Sequence, residues 1–138
     1  MQERTVLARG AIFEISAENE WVACEVVNRS DVSAEEGARC ASQINEVLIG
    51  QVLSPRSRYR GLVFDVRKGP PAFGPKTRAA LEKVFAAASS SGRRIAVLVG
   101  ESPTQRMQFV NLCQEHATEH GRVFQTESSA RDWLQSSK

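Results

Sequence analysis

The sequence predicts a single α/β domain built on a mostly parallel β-sheet. Two short apolar runs, residues 62–66 (with one acid) and 95–99, are typical of strands inside a parallel sheet. Each run leads into a polar loop and then into a segment with the apolar spacing of a helix. Two earlier apolar runs, residues 11–17 and 21–27, are separated by three polar residues and indicate an antiparallel hairpin.

Local capping signals predict where the first two helices begin and end. Ser33 and Glu36 have the spacing of a capping box, so we expect a helix from about Ser33 to about Val52. A second helix is expected from about Pro75 to Ser90, because proline suits the first turn, where its missing N–H would be unpaired anyway.

Two more helices and a short strand complete the predicted order, β-β-α-β-α-β-α-β-α. Ser102 is expected to cap the third helix, with Gln105 completing a capping box. After a strand at 123–124, Thr126 or Ser128 is expected to cap the last helix. The inner stripe of the third helix is predicted to contain Met107, Val110, Cys113 and Ala117.

The length and composition of the chain limit the classes of protein to which it could belong. Its 138 residues suit one domain, which we place at 10–135, with a partly frayed extension at 1–9. A net charge of +2 gives no general attraction to nucleic acid, so we expect none as a partner. No apolar run is long enough to cross a membrane and the first residues lack a secretory pattern. Three widely spaced cysteines favour a reducing cytoplasm.

The loop after the first buried strand resembles a phosphate-binding loop but departs from it. Gly69, Gly74, Lys76 and Thr77 lie between a strand and a helix, as in a Walker A motif. Pro75 separates the lysine from the second glycine and removes one of the backbone N–H groups that would cradle phosphate. A tight loop made of glycine and proline is the preferred interpretation.

Other catalytic patterns are incomplete. His116 and His120 form an H-x-x-E-H sequence with both imidazoles expected on one helical face, yet no third ligand is evident, so we predict a solvated helix end and no metal. Cys24, Cys40 and Cys113 lie in apolar patterns and are expected to be core residues. We therefore predict that the chain is not an enzyme and needs no cofactor.

Two predicted loops could meet at the carboxyl edge of the sheet and form a crevice. They carry the following residues: Asp65, Arg67, Lys68, Gly74, Lys76 and Thr77 on one side, and Gly100, Glu101, Ser102 and Arg106 on the other. Two helix N-termini add partial positive charge, which suits an anion. The alternative is that Asp65 pairs locally with Arg67 and Lys68. A catalytic version would need Asp65 and Glu101 as an acid/base pair.

Taken together, the hairpin, the runs GLVFDV and RIAVLVG and the ending VFQTESSARDWL resemble the STAS-like superfamily, the fold of the sporulation anti-sigma-factor antagonists and of SEC14-like bacterial domains. The resemblance implies a non-catalytic, cytoplasmic bacterial regulatory module. Its partner would bind the loop at 67–78 and the helix after it. A SEC14-like relationship implies the alternative, a small-ligand or lipid-binding domain.

One feature of that family is missing here. Its phosphoregulated members carry a serine at the start of this helix, whereas this chain has only Thr77, between Lys76 and Arg78. We therefore expect a partner surface of Phe73, Lys76, Thr77 and Arg78 without the serine switch. Phe73 could be an exposed anchor or could fold back over the sheet end.

The expected partners and ligands follow from this comparison. We expect a protein partner, with a second copy of the chain as another candidate. In the ligand-binding alternative, the contacts would come from a set of polar and cationic residues at the crevice: Asp65, Arg67, Lys68, Gly74, Ser102 and Arg106. A loop with Arg56, Arg58 and Arg60 lies at the opposite, amino edge and is interpreted as a solvated face.

Overall fold

A computed structural model describes residues 4–136, which form one six-stranded sheet with helices on both faces. The strands are β1 (Arg4–Arg9), β2 (Phe13–Glu18), β3 (Trp21–Val27), β4 (Gly61–Lys68), β5 (Arg94–Leu98) and β6 (Gly121–Phe124). The helices are α1 (Ala34–Val47), α2 (Pro75–Ser91), α3 (Pro103–His116) and α4 (Glu127–Gln135). A single π-helical turn, Leu48–Val52, extends α1.

The predicted architecture is confirmed in its main features. The strands lie side by side in chain order, with β1, β2 and β3 antiparallel and β3 to β6 parallel. The hairpin therefore precedes the parallel strands, as the two early apolar runs indicate. Within residues 4–136, no helix combines the length and the apolar character needed to cross a membrane.

The first strand, β1, is a difference from the prediction. Residues 4–9 of the predicted extension pair with β2 at the sheet edge, while residues 1–3 lie outside the described part. The sequence of β1 carries no alternating pattern, because an edge strand buries few side chains and Val6 stays 46% exposed. Arg4 and Arg9 instead reach Glu14 on β2, at 3.6 and 2.7 Å.

Alternation along the central strands divides the core in two. Leu62, Phe64 and Val66 of β4 face α1, α2 and α3 in the larger cluster. Val63 faces the opposite way, into a smaller cluster with Leu134 of α4. The crossovers between parallel strands all have the same hand, which brings α1, α2 and α3 to one face of the sheet. Helix α4 follows the last strand and covers the other face.

Helix ends follow the capping rules that the sequence predicts. Ser33, Ser102 and Thr126 accept hydrogen bonds from backbone N–H groups at the starts of α1, α3 and α4. Gly92 ends α2 with φ of 73°, a left-handed conformation that glycine adopts without strain. Of the two candidates for the last helix, Thr126 is thus the cap.

The inner face of α3 differs from the predicted stripe. Gln105, Phe109 and Leu112 are buried together with Cys113, whereas Met107 is 60% exposed. The helix turns a glutamine inward because loop carbonyls lie there. Because Gln105 is polar, the buried face of α3 lacks the regular apolar spacing on which the predicted stripe depends.

Close packing between α4 and the sheet leaves little space for a side chain at position 61, and this can be tested. A Cβ atom there would lie 3.0 Å from the Arg94 carbonyl oxygen and 3.0 and 3.2 Å from Trp21 and Leu134 side-chain atoms. We predict that Gly61→Ala lowers the free energy of unfolding by about 1–3 kcal/mol. Chemical denaturation measures this, and Gly50→Ala, at a helical glycine with open space around it, is the control. Equal stability of the two variants would contradict this packing.

Candidate functional site

The loop between β4 and α2 is held by one buried glutamine. Gln105, only 2% exposed, donates from Nε2 to the carbonyl oxygens of Val66 and Pro70, both at 2.9 Å. Its Oε1 accepts from the N–H of Gly100 at 2.9 Å. It therefore does not complete the predicted capping box but joins the end of β4, the loop and the end of β5.

Two further side chains, one from the N-cap of α3 and one from the helix itself, fix the same loop. The Ser102 hydroxyl donates to the Pro71 carbonyl at 2.8 Å. Gln108 accepts from the Phe73 N–H at 3.0 Å and donates to the Phe73 carbonyl at 2.9 Å. The loop thus has a set backbone conformation before any ligand binds, which lowers the entropy that binding must overcome.

This loop closes one end of an apolar groove, which we call the α1–α2 groove. Its volume is about 680 Å³ and it is open to solvent on one side. The floor is Phe64, Val66 and Phe109. The walls come from the β1–β2 connection, β3, both helices and the loop: Ile12, Val26, Ala34, Glu35, Gly37, Ala38, Ala41, Ile44, Pro70, Ala72, Phe73, Gly74, Pro75, Lys76, Thr77, Ala80, Leu81 and Val84.

The groove exists because small side chains line its facing walls. Ala34, Gly37 and Ala41 of α1 recur at helical spacing and lie opposite Thr77 and Ala80 of α2. A Cβ atom built at Gly37 would meet nothing within 4 Å, which shows how much space remains. Small residues at inner positions are usually interpreted as close helix packing, so the sequence alone does not reveal the groove.

Of the four residues predicted to contact a partner, three line the groove and one does not. Phe73 is half-buried and packs edge-on against Phe109, with ring centroids 5.2 Å apart, so it forms groove wall and keeps part of its surface exposed. Lys76 is exposed at the groove mouth and Thr77 lines the wall. Arg78 points elsewhere and is engaged in an ion-pair cluster with α3.

Two of the predicted ligand residues lie on the opposite face of the sheet. Asp65 and Arg67 line a depression with Glu127 and Arg131 of α4, away from the groove. Partial burial would raise the pKa of the Asp65 carboxyl, but hydrogen bonds from Arg67 at 2.7 and 3.0 Å outweigh it and the pKa is lowered. Asp65 thus pairs locally, the alternative that the sequence left open, because alternation along β4 turns it away from the groove.

The other four predicted ligand residues stay at the carboxyl edge. Gly74 lines the groove and is the N-cap of α2 in an extended conformation. Ser102 is used by the loop and by the α3 cap. Lys68 and Arg106 are exposed and make no side-chain hydrogen bond or ion pair within residues 4–136. The crevice proposed from the sequence is therefore split between two faces.

The histidine pair is not a joint site. Helix α3 ends at His116, and His120 lies in the turn before β6, so the expectation of one helical face is wrong. His116 Nε2 instead lies 3.5 Å from Glu82 and 3.8 Å from Glu115. These three residues could hold a cation, with ligand atoms within 4.8 Å, but Arg78 already binds both carboxylates at 3.2 and 2.7 Å.

The cysteines have the surroundings of core residues. Cys24, Cys40 and Cys113 are all buried and free. Burial raises the pKa of both the Cys24 and the Cys113 thiol, that of Cys113 to about 12, so neither thiol is a ready nucleophile at neutral pH.

Loop fixation by Gln105 gives a stability prediction. Gln105→Leu keeps the volume but leaves a buried N–H and two carbonyls without this partner, so the free energy of unfolding should fall by about 2–4 kcal/mol. Gln114→Leu, on the exposed side of the same helix, is the matched control. Denaturant unfolding measures both, and a loss under about 0.5 kcal/mol for Gln105→Leu would contradict the role assigned to it.

Comparison with known proteins gives no match from which a function could be proposed, so the proposal depends on the geometry of the site. No family model matches the chain, and neither a curated protein nor a solved structure matches it significantly. The STAS-like resemblance therefore stays a prediction. What the molecule offers directly is a preformed apolar groove with a lysine at its mouth.

Proposed function

We propose that the protein is a non-catalytic binding module whose ligand lies in the α1–α2 groove. The observation that carries the proposal is the groove itself, with a volume of about 680 Å³ and a predominantly apolar lining. Pockets for small ligands typically have about 300–1,000 Å³ and few polar groups. This favours the ligand-binding alternative of the sequence analysis over a flat partner surface.

The ligand that fits best has an apolar body and an anionic head group. Apolar floor residues favour the body, at about 0.8 kcal/mol for each methylene removed from water. Lys76 is an exposed cation on the rim, while Glu35 on the α1 side disfavours an anion there. The head group is therefore expected on the α2 side of the mouth.

A regulatory module that binds a protein is the second candidate, and one observation favours it. The loop carries the exposed residues Ala72, Gly74 and Pro75, and its backbone is fixed on both sides of Phe73 by Gln108. A rigid exposed loop beside a half-buried aromatic residue suits a partner contact. We infer a cytoplasmic location for either function, supported by the free buried thiols.

Filling the groove tests the ligand-binding proposal. 1-Anilinonaphthalene-8-sulfonate, an apolar ring system with one anionic group, is expected to bind the wild type at a single saturable site. Gly37→Leu places a side chain in the groove, where it should displace apolar contacts of the probe equivalent to about two methylene groups. The affinity for the probe should therefore fall about tenfold or more. Probe fluorescence measures it.

A second helical glycine of the chain provides the control for this test. Gly50→Leu adds the same side chain at another helical glycine with open surroundings, outside the groove, and should leave the affinity unchanged. Both variants remove a helical glycine, so their unfolding free energies should stay at or above the wild-type value. Unchanged probe binding by folded Gly37→Leu would refute the groove as the ligand site.

Charge at the mouth is tested with two probes that differ in one group. Lys76→Met should weaken the sulfonate probe about threefold, as for an exposed ion pair, and leave its uncharged counterpart N-phenyl-1-naphthylamine unaffected. Lys83→Met, on the exposed side of α2, is the control. Equal effects on both probes would contradict an anionic head group at Lys76.

A further inference from the structure

The amino edge of the parallel strands, opposite the loop at the end of the α1–α2 groove, carries an unusual concentration of arginines. Arg60 precedes β4, Arg93 precedes β5, Arg94 opens β5, and Arg122 lies in β6. The register brings them together, because Gly61 pairs with Arg94 and Ala96 pairs with Arg122. We call this surface, together with Arg56 and Arg58, the amino-edge arginine surface.

Contacts show that the surface is continuous. Arg93 donates to the carbonyl oxygens of Ser54, Pro55 and Ser57, which ties the loop with Arg56 and Arg58 to β5. Arg94 and Arg122 both lie over the ring of Trp133, at 4.8 and 5.3 Å from its centroid.

A concave basin lies within this surface. It has a volume of about 560 Å³, and its lining includes Trp21, Arg60, Arg93, Arg94 and Glu119. Arg60, Arg93 and Arg94 therefore line a recess that an anionic group could enter.

Most arginines elsewhere in residues 4–136 are paired with a carboxylate, whereas most arginines of this surface are not. Arg29, Arg39 and Arg67 each have a carboxylate within 3.0 Å, as do Arg9, Arg78 and Arg131. Among residues 4–136, Arg56, Arg58, Arg93, Arg94 and Arg122 have no such ion pair. Arg58, Arg93, Arg94 and Arg122 contact neutral carbonyls, hydroxyls or rings. The one carboxylate within 4.0 Å of Arg60 among these residues is that of Glu20, at 3.9 Å.

We propose that the amino-edge arginine surface binds the phosphodiester backbone of nucleic acid without sequence preference. Guanidinium groups match phosphate oxygens in shape and charge. The Trp21 and Trp133 rings already have guanidinium groups on them, so the surface offers charge and not a stacking platform for bases. Glu20 and Glu119 offset part of the charge, which keeps the affinity in the non-specific range.

This inference differs from the composition-based expectation because it depends on charge distribution. A net charge of +2 averages the paired and unpaired arginines of the whole chain. A local surface of five unpaired arginines attracts a polyanion even when the molecule as a whole is nearly neutral. It does not depend on the α1–α2 groove.

The test is salt-dependent binding of a labelled mixed-sequence DNA duplex of about 20 base pairs, measured by fluorescence anisotropy. Wild type should bind with a Kd of about 10–100 μM at about 50 mM KCl, and log K should fall with log salt with a slope near −3 to −4. Arg58→Gln/Arg122→Gln removes two exposed guanidinium groups, so the affinity should fall about tenfold and the slope should become shallower by about two.

Lys68→Gln/Arg106→Gln is the matched control, since it removes two unpaired cations from the opposite edge and should change neither value. No saturable binding by wild type, or equal losses in both double variants, would overturn the proposal. Tighter binding of polyglutamate than of duplex DNA would assign the surface to an acidic protein and overturn it as well.

Discussion

The buried side chain of Gln105 is the interaction on which the carboxyl edge of this molecule depends. One amide satisfies the Val66 and Pro70 carbonyls and the Gly100 N–H, so two strand ends and a loop share a single partner. Because buried backbone groups without partners are costly, the β4–α2 loop has little freedom to rearrange. Its rigidity preserves the end wall of the α1–α2 groove.

The sheet separates two chemically different surfaces. On the side of α1, α2 and α3, small residues leave the groove open above an apolar floor. On the other side, α4 packs by Ala130 and Leu134 and leaves the Asp65–Arg67 pair in a polar depression. Strand alternation enforces this separation, since neighbouring residues of β4 point to opposite faces.

The pairing of charged side chains differs between the edges of the sheet as well as between its two faces. Pairing with carboxylates neutralises most arginines on the helices and on the hairpin, whereas those that begin the parallel strands contact neutral oxygens and aromatic rings. A guanidinium bound to a carbonyl is fixed in position but keeps its charge. The amino edge therefore combines order with unneutralised charge.

By itself, the sequence determined the order of elements from β2 onward and most helix caps, because both depend on near neighbours. The apolar runs of β4 and β5 and the caps Ser33 and Ser102 are examples. Tertiary structure decided the rest. It paired β1, turned Gln105 inward and Met107 outward, assigned Asp65 to the far face and left space beside Gly37. Those outcomes depend on partners distant in the chain, which local patterns do not encode.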